Sequence, residues 1–228
     1  TFAVIGLGET TTENDLRYAA GSAVRQLAGV ESVTFALPLT TEAEVLAVAE
    51  GATLGAYSFT TFRGKTAARQ KAPVKSVTIC SSMTPSAADL ERIAIVGDAV
   101  RLVKDLVNTP GGQLFPQSFA DAALEAAKGT DISIEVWDET KLTAERCGGI
   151  MGIGQGSSRL PRMVKVSYEP AGASKHIAFV GKGITFDTGG YSLKPWDAML
   201  TMHHDMGGAA AALAATIAAA RLHLPLKV

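Results

Sequence analysis

The chain has 228 residues, 47% of them hydrophobic, and a formal net charge of −1, with a mean hydropathy of +0.19. That apolar supply is ample for one large or two small packed domains and excludes a disordered chain. The near-neutral charge argues against a nucleic-acid partner, which a basic face would advertise, and no apolar run reaches the ~20 residues of a membrane-spanning helix.

Cys80 and Cys147 stand alone, in no CxxC or Cys/His spacing. Two small buried thiols fit a reducing, cytoplasmic compartment. The chain opens in an apolar segment with no basic leader before it, so no secretory signal is visible.

Phe2–Leu7 reads as a strand bounded by Gly6 and Gly8. Gly6-Leu7-Gly8 is too short for a dinucleotide fingerprint, which needs a third glycine and a downstream acid. Glu13–Ala28 has helical spacing, with Leu16, Ala19, Ala20, Val24 and Leu27 on one face. Val33–Leu37 is a second strand, stopped by Pro38. Thr41 then precedes Glu42 and Glu44, an N-cap with an acidic first turn, and the helix runs to about Tyr57. Arg63–Lys75 is basic and polar, a solvated loop, and Lys75–Cys80 is a third strand. Strands alternating with amphipathic helices are the α/β pattern, which makes residues 1–85 a small N-terminal α/β domain.

Ser86–Val107 is a long helical stretch, a linker helix over 86–107, ended by the stop signal Asn108-Thr109-Pro110-Gly111-Gly112. Pro116 opens a helix over Gln117–Lys128, Ile132–Trp137 is a strand, and Asp138–Arg146 a short helix. The glycine-rich run Gly148–Ser157 reads as turns that let a strand edge pass close to a neighbouring sheet. Met163–Tyr168 and His176–Val180 are expected as adjacent buried strands joined by a turn at Pro170–Ser174. Met206–Leu222, beginning Gly207-Gly208 and rich in alanine, is a close-packed helix, and Leu224–Val228 leads into another strand.

The densest chemistry lies between His176–Val180 and the helix Met206–Leu222. Phe179–Met206 leaves regular structure through Gly181, Gly183, Gly189 and Gly190 and presents Lys182, Asp187, Lys194 and Asp205. Glycines let backbone approach a ligand closely, and ligands of α/β sheets bind at the carboxyl ends of strands. A metal site, a phosphate site and a solvated charged loop all compete for this stretch. Gly181-Lys182-Gly183 lacks the Ser/Thr and the upstream glycine of a phosphate-binding loop. Two aspartates are hard ligands for a divalent cation, and a shared carboxylate can hold two cations close together.

GKGITFDTGGYSLKP followed by MHHDMGGAAA resembles the signature region of the leucyl aminopeptidase family, hexameric two-metal peptidases of the cytosol. Lys182, Asp187, Lys194 and Asp205 all keep that family's spacing. VKDLVNTPGGQLFPQSFA resembles the family's join between two domains, and GIGQGSSRLPRMVKVSYEP its approach to a mixed central sheet, so that residues 108–228 correspond to the first half of a catalytic domain.

The resemblance implies that Lys182, Asp187 and Asp205 ligate the more tightly held of two divalent ions, zinc or manganese, with Asp187 bridging to the second. Lys182 could coordinate only as a neutral amine. Lys194 is the implied catalytic residue, an ammonium that stabilises an oxyanion, and it also contacts substrate. Asp205 would lie beside the free amine of a peptide's first residue, and Met202 would wall the pocket for an apolar, leucine-like side chain. His203 and His204, on what reads as an extended segment, would point to opposite faces and are left out of the ligand set. Trp196 and Tyr191 lie in the same loop.

The family's remaining Asp and Glu ligands, with an Arg that binds a bicarbonate as proton shuttle, come in a pattern resembling NTDAEGR, and no such motif occurs in these 228 residues. The sequence therefore reads as the first half of a homohexameric aminopeptidase, inactive by itself. The competing reading is a complete chain that works without catalysis as a binding or assembly subunit, as in family members that bind DNA as accessory factors, and the neutral charge gives it no support.

Overall fold

The computed structural model describes residues 2–8 and 11–228. The chain divides into two compact units, residues 1–101 and 102–228, the division falling within one long helix.

The first unit contains α1 (Glu13–Gln26), β1 (Ser32–Phe35), α2 (Glu42–Gly55), β2 (Ser76–Ile79) and the start of α3 (Ala87–Asn108). Both α1 and α2 begin in a capping box. The hydroxyls of Thr12 and Thr41 accept from the backbone N–H of Asp15 and Glu44, whose carboxylates accept in return from the cap backbone. The apolar stripe read for α1 is buried as expected, at Leu16, Ala19, Ala20 and Val24. It packs on Ala47, Val48 and Ala52 of α2 and on Phe35 of β1. β1 and β2 pair in parallel, Val33 with Val77 and Phe35 with Ile79.

Two expectations change here. Residues 2–8 form no strand; Phe2 and Val4 are fully exposed, and among the described residues no neighbouring strand takes up their backbone groups, although Leu7 packs against the core. The basic loop holds a 3-10 turn over Gly64–Arg69 with no buried residue.

The second unit takes the end of α3, then α4 (Pro116–Ala126), β3 (Ile132–Trp137), α5 (Glu139–Ala144), α6 (Gly148–Gly154), β4 (Met163–Tyr168), α7 (Trp196–Leu200) and α8 (Gly207–Arg221). Its core is a helical layer on a sheet. Met206, Ala210, Leu213 and Ile217 meet Leu106 of α3 and Phe119 and Ala123 of α4, against the inner faces of Ile132, Ile134, Val164 and Val166. β3 and β4 are antiparallel, Ile134 opposite Val166.

Three expectations fail in this unit. Residues 148–154 form helix α6 rather than turns. Among the described residues no strand pairs with that segment, and the helix satisfies its own backbone, as in the Met151 N–H to Cys147 carbonyl bond. His176–Val180 is neither a strand nor buried: a single parallel bridge joins His176 to Lys227, while Phe179 is 51% and Val180 98% exposed. Nor is this segment adjacent to β4. Val228 exchanges backbone hydrogen bonds of 2.9 and 3.0 Å with Tyr168, and Ile177 N–H donates to Lys227, so residues 227–228 lie between the two.

Among the described residues no helix is long and apolar enough to cross a membrane. Cys80 and Cys147 are both free thiols, Cys80 exposed and Cys147 half-buried, so neither is buried as expected.

Candidate metal centre

The loop from Ile177 to Pro195 is irregular and turns back on itself at Gly189 and Gly190, which have φ of +94° and +68°. Two consecutive residues of positive φ favour glycine, which has no Cβ to clash. The reversal is closed by Lys194 N–H donating to the Thr188 carbonyl at 2.9 Å, and it returns Lys194 to Asp187. The Lys194 Nζ stands 2.8 Å from Asp187 Oδ1 and 2.9 Å from Oδ2. The Gly189 N–H donates to the same carboxylate at 2.8 Å. The Lys194 hydrogen bond leads in holding the Asp187 carboxyl below its ordinary range against a modest opposing effect of burial, with help from the Gly189 N–H and the charges of Lys194 and Lys182.

Lys182 and Asp205 come together through α8. The Ala209 N–H in the first turn of α8 donates to the Lys182 carbonyl at 2.8 Å. The backbones pass so closely that a Cβ on Gly181 would lie 2.5 Å from Ala209 Cα. Asp205 ends a 3-10 turn, Met202–His204, immediately before α8. Lys182 Nζ reaches its Oδ2 at 3.5 Å, the lysine side chain 66% exposed. Met202 is buried, its Sδ 3.0 Å from Lys194 Nζ. The segment carrying His203 and His204 is thus a 3-10 turn rather than extended; their rings meet edge-on at 5.7 Å, and His203 Nδ1 lies 3.1 Å from the Leu200 carbonyl.

The five residues singled out in the sequence thus form two contact groups, Asp205 with Lys182 and Asp187 with Lys194 and Met202, and the charge of Lys182 is felt at Asp187. A feature the sequence reading missed adjoins it. A cavity of about 680 Å³ is lined by Phe186, Leu193, Lys194, Trp196, Leu200 and His203 among others. The signal for it was the apolar residues interleaved with charge along this loop, of which Leu193, Trp196 and Leu200 are more than half exposed. Tyr191 is fully exposed.

The donor set can be tested against a cation. Among the described residues no group of three or more His, Cys, Asp or Glu is placed to hold a metal. In donor chemistry Asp187 and Asp205 are the hard carboxylates that a divalent ion takes, and Lys182 stands 3.5 Å from Asp205. A second ion would find Asp187 alone among these residues.

Residues 101–228 match the catalytic domain of the cytosol aminopeptidase family, and residues 1–66 match its N-terminal domain. The chain belongs to the cytosol aminopeptidase family. A probable cytosol aminopeptidase of Leifsonia xyli subsp. xyli is 52% identical over 99% of the chain and 46% of its own length. One of Micrococcus luteus is 52% identical over 97% of the chain and 44% of its length. The chain thus spans about half the length of the curated relatives it matches. Among solved structures, the bottromycin maturation enzyme BotP in complex with Mn superposes with a TM-score of 0.83 at 35% identity, covering 98% of this chain and 48% of that one. The apo leucyl aminopeptidase of Trypanosoma cruzi gives 0.77 at 30% identity, covering 95% and 42%. Every candidate residue lies within the segment matched to the family's catalytic domain.

Proposed function

We propose that this chain carries the first metal site and the catalytic lysine of a metal-dependent aminopeptidase that removes apolar, leucine-like residues from peptide N-termini. The observation that carries this reading is the pairing of Lys182 with Asp205 and of Lys194 with Asp187, the loop that bears Lys182, Asp187 and Lys194 being seated on the first turn of α8 just after Asp205.

Two divalent ions bound here would polarise the scissile carbonyl and make a water acidic enough to attack near neutral pH. The chain's own residues do the rest. Asp187 and Asp205 supply hard oxygen donors, and Lys182 supplies a neutral amine. Asp205, 29% exposed, also meets the free amine of the substrate, which restricts cleavage to N-termini. Lys194 supplies a cationic donor for the oxyanion that develops on the carbonyl oxygen. Phe186, Leu193 and Trp196, which line the cavity beside it, offer apolar surface to the side chain of the first residue.

The test is hydrolysis of leucinamide, followed by ammonia release, in the polypeptide that carries this chain. Activity is expected to vanish with a chelator and to fall about 10²–10³-fold in Lys194→Ala, as when an oxyanion donor is removed. Full activity in Lys194→Ala overturns the role given to that residue, and activity indifferent to chelation overturns the metal reading.

A further inference from the structure

We infer that Arg159 is a positioning residue for this centre. It steadies the turn Pro110–Leu114 as a seat for Phe186, and that seat places Asp187 and Lys194. The inference rests on the roles proposed above for those two residues.

The loop that bears them depends on contacts outside itself. The bonds that shape its reversal, Gly189 N–H to the Asp187 carboxylate and Lys194 N–H to the Thr188 carbonyl, run within the loop. They fix its form and leave its place to the rest of the unit. One outside contact is the Lys182 carbonyl on the Ala209 N–H. Phe186, directly before Asp187, makes another. Its side chain lies over Gly111 so closely that a Cβ there would stand 3.1 Å from both Phe186 Cβ and Cδ2. Pro110 and Gly111 line the same cavity as Phe186 and Lys194.

The seat is a tight turn between α3 and α4. The N–H groups of Gln113 and Leu114 both donate to the Pro110 carbonyl, at 2.8 and 2.9 Å, and Leu114 is buried in the core. Gly111 and Gly112 lie between these points with no side chain to anchor them. Arg159 supplies the anchor from 47 residues further along, in the loop between α6 and β4. Its Nη1 donates to the Gly112 carbonyl at 2.8 Å, and its guanidinium carbon stands 4.1 Å from the centre of the Phe115 ring. A planar guanidinium can stack and donate at once, which an ammonium does less well. Arg159 thus acts on the centre through the turn and through Phe186. Small displacements matter at such a site, since a misplacement of about 1 Å originating far from the chemistry can cost about 10²-fold in rate.

The experiment uses the polypeptide that carries this chain and compares wild type with Arg159→Met, Arg159→Lys and Gly111→Ala. Amide exchange over residues 186–194, thermal melting, and kcat and KM for leucinamide are measured on each. Arg159→Met keeps the length of the side chain and removes its donors and charge. Exchange over 186–194 is expected to quicken roughly tenfold, the joint worth of one hydrogen bond and one cation–π contact. Exchange in β3 and β4 and the melting temperature should hardly change. The kcat should fall about tenfold with KM within about twofold, the pattern of an interaction made in the transition state. Arg159→Lys should recover part of that loss. Gly111→Ala presses on Phe186 from the other side and should also lower kcat, which keeps the inference open to refutation if Arg159→Met does not fold. The double variant should lose little more than the worse single one, because both act through one seat.

Unchanged exchange over 186–194 in Arg159→Met overturns the inference, and so does faster exchange there with kcat unchanged. Exchange quickened equally in β3, β4 and the loop, with a lower melting temperature, gives Arg159 a part in the fold alone and overturns it too. A wild-type polypeptide that releases no ammonia from leucinamide overturns the proposed function instead, and the exchange comparison then still decides whether Arg159 holds the loop.

Discussion

Gly51 on α2 lies against the backbone of Arg17 on α1 so closely that a Cβ added to it would sit 2.8 Å from the Arg17 carbonyl carbon and nearer still to its oxygen. Gly21 and Gly55 continue the same seam, a Cβ on Gly21 falling 2.9 Å from the Gly51 carbonyl oxygen. Gly51→Ala gains about 1 kcal/mol of helix propensity. It also forces two helix backbones apart, and backbone cannot turn aside as a side chain can. The net expectation is a loss of about 2 kcal/mol or more, read by urea unfolding and by faster amide exchange along α1 and α2. Gly152 in α6 is the control, since nothing lies within 4 Å of its would-be Cβ. Gly152→Ala should stabilise by up to ~1 kcal/mol.

Glu50 bridges Arg17 at 2.7 Å and Arg92 at 2.9 Å. Burial pushes its carboxyl up, but hydrogen bonds and charge from both guanidiniums together outweigh that and hold it below the ordinary 4.5. A carboxylate with a lowered folded pKa contributes stability that is present above its unfolded value and lost as pH falls through the folded one. Glu50→Gln should therefore cost about 1 kcal/mol at pH 7, the two arginines being partly solvated. The difference from wild type should shrink below pH 4.5 and vanish in more acid solution. Thermal melts of both proteins across that range check it, and a pH-independent difference would show packing rather than charge.

Much of this architecture was legible because its signals are local. The α1 stripe, the Thr41 cap, and the strands Ile132–Trp137 and Met163–Tyr168 all follow from periodicity and capping within a few residues. What failed depended on partners distant in sequence. Phe2–Leu7 and His176–Val180 have strand composition, yet a strand exists only where another segment accepts its backbone bonds. The glycines of 148–154 allow turns and helix alike, and hydrogen bonding decided for helix. Of the candidate centre, the residue types could be read but not the pairing. Nothing in the sequence says that Lys194 rather than Lys182 closes on Asp187, because that depends on the reversal at Gly189-Gly190. The cavity beside Lys194 brings Asn108 and Gly111 against Phe186 and Leu193, a juxtaposition that no local pattern encodes.

Gly181 tests whether α8 positions the centre. Its would-be Cβ collides with the backbone at Gly208-Ala209, next to the bond that anchors the Lys182 carbonyl to the Ala209 N–H. Gly181→Ala should lift the Lys182 segment from the helix and misplace its amine relative to Asp205. Disturbing the support of a ligand typically costs 10–100-fold in metal affinity, so the Mn²⁺ Kd should rise by about that factor. The far-UV circular dichroism should hardly change, since residues 177–189 have no regular structure to lose. A drop in helicity with unchanged affinity would place Gly181 in the fold alone.

Three aspartates in this region separate ligands from general acidity. Asp187 and Asp205 each face a lysine at the centre. Asp197 sits in the first turn of α7, where its carboxylate accepts from the neighbouring Ala198 N–H at 2.9 Å. If Mn²⁺ were merely drawn to a negative surface, the three substitutions to asparagine would weaken binding alike, each by a small salt-sensitive amount. If the first two are donors, Asp187→Asn and Asp205→Asn should each raise the Kd about 100-fold or abolish binding, and Asp197→Asn should leave it within about twofold, because an exposed charge off the coordination shell adds at most a screened attraction. Titrations at low and moderate salt distinguish the two patterns. Equal losses at all three positions would remove the ligand assignment and leave the loop as an acidic surface.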